Sequence, residues 1–202
     1  MAGYPPEPWE LQGQLHLTVW RVPSAHLPRL SAGLKPVRAG GSALVTTSWV
    51  IYEPGGVLSY RELLVAVLAH RRGRPLVTIT DIWVDSTPSL RGGRELWGIP
   101  KQRASFHVDG ATCAAVHGES ELIASSTVRP IGALPGRCRS RFTVAQQRAG
   151  ELVFIPVRCS SRMRLIQISW AFPPGGRLGW LADAHPAFSA SLRDFRLRFG
   201  RP

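Results

Sequence analysis

The sequence predicts a mainly-β or α+β fold, a sheet of short strands carrying few helices. Two observations point there. Apolar and polar residues alternate over several short runs, the period of a half-buried strand. The chain holds 20 Gly and 17 Pro in 202 residues, which suits frequent turns better than a helix bundle. The longest apolar runs, such as 63–69, fall far short of a membrane span.

Residues 1–13 read as an extended, proline-rich leader. Leu15, Leu17 and Val19 then alternate with His16, Thr18 and Trp20, giving a first strand. Ser24 is placed to cap a short helix over 25–34, before the breaker Ala39-Gly40-Gly41. A second strand over 43–52 stops at Pro54-Gly55-Gly56. By periodicity alone 60–70 suits a buried helix or a buried strand equally well. The turn that follows it, and the β-rich run 76–84 beyond, favour a hairpin. Residues 86–96 form a short helix or turn leading into Trp97-Gly98-Ile99-Pro100-Lys101.

Two meanders follow. The first runs 104–108, 111–117 and 121–128, with turns at Asp109-Gly110 and near Gly118. The second runs 141–147, 151–157 and 164–172, with a turn at Ala149-Gly150, and Pro173-Pro174-Gly175-Gly176 ends the sheet. Phe188, Leu192, Phe195 and Phe199 recur at steps of four, three and four, which predicts an amphipathic C-terminal helix. With no repeat and no linker, the expectation is one domain over 1–202.

The net charge of +12 raises nucleic acid or an anionic surface as a partner. Almost all of that charge is arginine, the only lysines being Lys35 and Lys101, and such a bias fits a GC-rich coding background. No zinc spacing, helix-turn-helix or ribonucleoprotein signature accompanies the arginines, so nucleic acid is not expected as a partner. Neither is a membrane, and the N-terminus has neither the basic start nor the apolar stretch of a signal peptide. Cys113, Cys138 and Cys159 are odd in number and widely spaced, as in buried thiols of a reducing compartment. A cytoplasmic protein is expected.

Lys101 is the first chemical candidate. A lysine attacks carbonyls only when its amine is neutral, which needs desolvation or a neighbouring cation. The approach Trp97-Gly98-Ile99-Pro100 is bulky and apolar enough to bury it. Arginine has replaced lysine nearly everywhere else, and arginine can neither lose its proton nor form a Schiff base. The plainer alternative is an exposed lysine in a turn. Glu62, just before an apolar run, is a candidate general acid/base, against a solvated charge paired with Arg61. The six histidines lack metal-binding spacing, Arg91-Gly92-Gly93-Arg94 matches no nucleotide loop, and no Gly-x-Ser-x-Gly elbow occurs.

The segment Gly93-Arg94-Glu95-Leu96-x-x-Ile99-Pro100-Lys101 resembles that around the Schiff-base lysine of the acetoacetate decarboxylase family. Tyr60-Arg61-Glu62 is similar to the family's Tyr-x-Glu, whose glutamate is an active-site acid/base. Trp170 to Leu178 is similar to the family's aromatic–Gly-Pro-x-Arg-Leu stretch. The resemblance implies an antiparallel β-barrel or cone around an apolar pocket, in a homo-oligomer. It implies a cofactor-independent lyase acting on a β-keto acid or related keto metabolite, with Lys101 as imine-forming nucleophile and Glu62 moving protons. Tyr60, Trp97, Ile99, Gln102 and Phe172 are then the expected substrate-binding residues.

Two departures shift that expectation. Gln102 stands where the family's decarboxylases carry a second lysine, with Arg103 beyond it as a partial substitute. The family's substrate-binding arginine near the first strand falls at Gly13 or Gln14, with Arg21 several residues on. The alternative is therefore a non-covalent cyclase or isomerase of specialised metabolism, shaping a polyketide-like substrate in the same pocket.

Overall fold

The computed structural model describes residues 3–117 and 121–201. In the first strand, β1 (Trp9–Pro23), alternation sorts the side chains between two interiors. Trp9, Leu11, Leu15 and Leu17 face one apolar cavity, whereas Trp20 and Val22 enter a separate core on the opposite face. A sheet buried on both faces needs such two-sided strands, and the same division recurs along the chain.

After β1 come two short pieces, β2 (Lys35–Pro36) and β3 (Arg38–Ala39), then β4 (Ser42–Tyr52), β5 (Tyr60–Arg71) and β6 (Arg74–Val84). The ambiguous run at 60–70 is thus a strand. Arg72 and Gly73 both take positive φ, 49° and 78°, as a tight two-residue hairpin requires. Helix α1 (Thr87–Trp97) and the short β7 (Lys101–Arg103) follow, with β7 parallel to β6. The chain continues as β8 (Ser105–Asp109), β9 (Thr112–His117), β10 (Glu121–Ala133), β11 (Cys138–Arg148), β12 (Glu151–Ala171) and β13 (His185–Phe199). The turn expected near Gly118 lies outside the described residues.

The strands form one sheet in the order β11-β6-β5-β4-β1-β13-β12-β10-β9-β8, and β11 also pairs with β12. That extra pairing closes the first seven into a barrel, while β10, β9 and β8 fold back over its outside. Between barrel and flap lies the second core, built on Trp20, Trp49, Leu63 and Trp83. The fold class read from the sequence is the one observed.

Four expectations are corrected. No helix spans 25–34; only a single 3-10 turn, Ser24–His26, forms there. Pro28 explains it, because a residue before proline is pushed out of the α region, and Leu27 sits at φ −70°, ψ 139°. The leader is shorter than expected, since pairing begins at Trp9. The runs 151–157 and 164–172 are one 21-residue strand, β12. Its intervening polar residues Arg158 and Ser160 are outward positions of a continuous strand rather than a break.

The C-terminal helix is a strand, β13. Its apparent helical spacing comes from a bulge: Asp194, at φ 48°, is an extra residue against both β1 and β12. Leu192 faces the cavity before the bulge, and Phe195, Leu197 and Phe199 face it after. Phe188 does not join them and is 43% exposed. Of the three free thiols Cys113 is buried, but Cys138 is exposed. No described helix is long and apolar enough to cross a membrane.

Candidate active site

The barrel encloses a cavity of about 340 Å³ whose walls are mostly aliphatic and aromatic. Its tyrosines and charged groups gather where β4, β5 and β7 meet. Alternation on β4 and β5 sends Tyr52, Tyr60 and Glu62 inward, with Tyr52 opposite Tyr60 across the strand pair. Lys101 enters from β7, which lies beside Ile82 of β6.

Helix α1 sets the position of the lysine, which follows it by four residues. Ser86 caps its N-terminus, accepting from the Ser89 amide, and Gly98 ends it in the left-handed region at φ 68°. The chain then turns through Pro100, and the Arg94 Nε donates to the Lys101 carbonyl at 2.7 Å. The lysine stem lies against Gly93, where an added Cβ would stand 2.8 Å from its Cδ. One residue earlier, a Cβ on Gly92 would stand 2.5 Å from the Trp9 ring. The glycine pair thus seats two side chains of the cavity wall.

Lys101 and Glu62 are 4% and 3% exposed. Nζ donates to Glu62 Oε2 at 2.8 Å, to Ser89 Oγ at 2.8 Å and to Tyr60 Oη at 3.3 Å. An ammonium has three N–H donors, and these three acceptors use them all. Glu62 in turn accepts from Tyr52 at 3.1 Å and from Tyr60 at 3.4 Å. Nζ also lies 5.0 Å from the Tyr60 ring centre and 5.9 Å from that of Trp9.

Burial by itself pushes the Lys101 amine down, but the charge of Glu62, with Tyr60 and the hydrogen bonds of both, outweighs it. The net direction is upward, so the resting amine is protonated. Burial and the Glu62 charge push the Tyr60 phenol up to about 12, with Lys101 pulling the other way. Tyr52 is raised well above its ordinary value by burial first and Glu62 next.

Lys101, Glu62, Tyr60, Trp97 and Ile99 all line this cavity. Gln102 and Phe172 do not, and the reasons are geometric. Gln102 follows Lys101 in a strand, so it points out of the barrel and accepts from Arg177 Nη1 at 3.0 Å. Phe172 belongs to the second core, stacked on Trp170 with ring centres 5.5 Å apart. Glu62 is not paired with Arg61, which instead lies 3.7 Å from Asp85.

Arg103 faces an outer depression beyond Tyr52 and Tyr60, donating to Thr87 at 3.2 Å. Among the described residues, no arginine lines the cavity. At Gly13 a Cβ would collide with the carbonyl oxygen of Ile51. Gln14 points the other way, bonded to Glu53 and Arg193. The positions suggested for a carboxylate-binding arginine are therefore closed or turned outward.

Ser89, Tyr52 and Trp9 belong to the site without having been singled out from the sequence, and Gly93 was named only as the first residue of the lysine segment. The Gly92-Gly93 pair inside a helix was the one available signal, since glycine there weakens a helix unless something must approach closely.

Residues 2–155 match the protein family described as acetoacetate decarboxylase (ADC). No curated protein sequence matches the chain significantly. Among solved structures, an acetoacetate decarboxylase from Legionella pneumophila shares the fold at TM-score 0.69 and 14% identity, over 99% of this chain and 88% of that one. An acetoacetate decarboxylase-like enzyme from Sphingomonas wittichii RW1 gives TM-score 0.69 at 16% identity, over 98% and 92%. The enduracididine biosynthesis enzyme MppR complexed with pyruvate gives TM-score 0.67 at 19% identity, over 96% and 88%.

Proposed function

The chain belongs to the acetoacetate decarboxylase family, and from that premise we propose that it acts on the carbonyl of a keto compound with an apolar body, using Lys101 as an imine-forming nucleophile. One observation carries the reading: the Lys101 amine and the Glu62 carboxylate, 2.8 Å apart, lie buried at the wall of an apolar cavity. Desolvated lysine is an activated nucleophile, and acetoacetate decarboxylase is itself the standard example.

Lys101 must first lose its proton, and Glu62 is the acceptor in contact with it. An ion pair is costly in a dry, low-dielectric site, so a substrate body that fills the cavity and excludes water favours the neutral amine and acid. The amine nitrogen then adds to the carbonyl carbon. The carbonyl oxygen takes up two protons and leaves as water, giving an iminium. In a β-keto acid, the bond to the carboxylate breaks, its electron pair enters the iminium, and carbon dioxide departs. A proton returns to the enamine carbon, and water releases the ketone and restores the amine. In other ketones Glu62 removes an α-proton instead, which opens aldol or dehydration chemistry. The iminium is the electron sink, so the reaction as drawn needs no cofactor.

Borohydride reduction tests it. Wild type, incubated with acetylacetone or a long-chain 2-alkanone and then reduced, should gain mass at Lys101. Lys101→Met should gain none. An equal gain in both proteins sinks the reading.

The second reading is a non-covalent cyclase or isomerase. The raised amine and the cavity's want of an arginine favour it. There the Lys101 ammonium and the Tyr60 hydroxyl would hydrogen-bond a carbonyl, and confinement would fold the chain. Wild type that never traps an adduct, yet turns over a polyketide-like substrate, selects this reading.

A further inference from the structure

The outer face of β11, β12 and β13 is an arginine surface. Strand register sets Arg141, Arg158 and Arg198 side by side across the three strands. In another row, Arg139 and Arg196 flank Ser160. Farther along β12, Arg162 lies opposite Arg193. All of these except Arg198 are exposed. Among the described residues, their one ion pair joins Arg198 to Glu10 at 3.3 Å. Like charges directly opposite one another destabilise a sheet, so this face carries repulsion that an anionic partner would relieve.

A second observation narrows the partner. The run 131–142 follows one edge of β12, with the Leu134 amide donating to the Met163 carbonyl at 3.0 Å. It interleaves Arg137, Arg139 and Arg141 with apolar side chains held out in water. Ile131 is 68% exposed, Leu134 42% and Phe142 40%. A register shift at Ile131 leaves that residue unpaired against β12. Ser140 and Phe142 of the same run line the cavity, on the opposite face of β11 from Arg139 and Arg141.

We propose that this face docks on an anionic lipid bilayer, a partner not expected from the sequence. Arginines at the headgroups and apolar side chains sunk just below them is the arrangement of interfacial binding. A nucleic-acid backbone would satisfy the arginines but leave Ile131 and Leu134 without a role. A two-fold contact with a second copy would set arginine against arginine. The proposal concerns the outer face of the barrel, and it stands whether or not Lys101 forms an imine.

Co-sedimentation of the full chain with vesicles of phosphatidylcholine, with and without phosphatidylglycerol, tests it. The expected result is on the order of tenfold or stronger binding to the anionic vesicles, lost at about 1 M salt. The triple variant Arg139→Gln, Arg141→Gln, Arg158→Gln and the double variant Ile131→Ser, Leu134→Ser should each weaken it severalfold, with unchanged circular dichroism. Equal binding to both vesicle types, or wild-type binding by the triple variant, overturns the proposal. Displacement from vesicles by duplex DNA at equal charge reassigns the face to nucleic acid. A concentration-dependent dimer that the same substitutions abolish reassigns it to a second copy.

Discussion

Gly93 and Lys101 are in contact across the α1–β7 junction: a Cβ at position 93 would stand 2.8 Å from the lysine Cδ and 2.9 Å from its Cε. The helix can be rebuilt with alanine only by moving the lysine. Gly93→Ala should therefore lower borohydride trapping at Lys101 by tenfold or more while costing about 1–3 kcal/mol of stability, the usual range for overpacking. Trapping yield and a urea melt on one preparation check both numbers.

Glu62→Gln should strongly destabilise the fold. It leaves the ammonium buried against a neutral amide, and breaking a buried pair from one side costs about 3–5 kcal/mol. The charge that holds the proton on Lys101 is also gone, so the pH profile of trapping should move to lower pH. A profile that stays in place would show that Glu62 does not set the amine's protonation.

Ser89→Ala removes one of the three acceptors around the ammonium, Oγ at 2.8 Å. The same downward move of the trapping profile is expected, smaller than that of Glu62→Gln because a hydroxyl carries no charge. A variant that only loosened α1 would lose stability without moving the profile.

Alkaline stability has a definite sign. Lys101 is raised above its ordinary value and Tyr60 stands at about 12, so both hold their protons more tightly when folded. Their contribution is full below the unfolded values and drains away as pH rises through the folded ones. For Tyr60 that window runs from about 10 to about 12. Urea midpoints should fall across it in wild type, and less steeply in Tyr60→Phe.

Ala66→Phe should select among substrates by size. Ala66 lines the cavity and is 2% exposed, so a ring there takes up space that a long substrate needs. Acetylacetone should still be trapped, whereas a long-chain 2-alkanone should not. Equal loss of both would place the occupied volume elsewhere.

That Lys101 and Glu62 share one site was legible because both sit in segments that resemble the family's. Their companions were not. Ser89 reaches the lysine from the preceding helix and Trp9 from a strand far away in sequence, and a single serine or tryptophan carries no spacing to read. Gln102 was misplaced into the pocket because proximity in sequence stood in for direction, yet β7 turns alternate side chains to opposite faces. The C-terminal strand misled for a related reason: one bulged residue at Asp194 converts a period of two into steps of three and four. Strand periodicity is a reliable guide only between bulges.

Gly13 has a consequence for how such a chain could change. The backbone of β4 has closed over it, so that any side chain would strike the Ile51 carbonyl. A descendant in need of a cation at that spot could not acquire one by a single codon change, because two strands would have to part before an arginine fitted. That obstacle is steric, whereas enlarging or narrowing the cavity at Ala66 or Leu17 takes one step. Diversification in this lineage is thereby channelled toward the size and shape of the guest, and away from its charge.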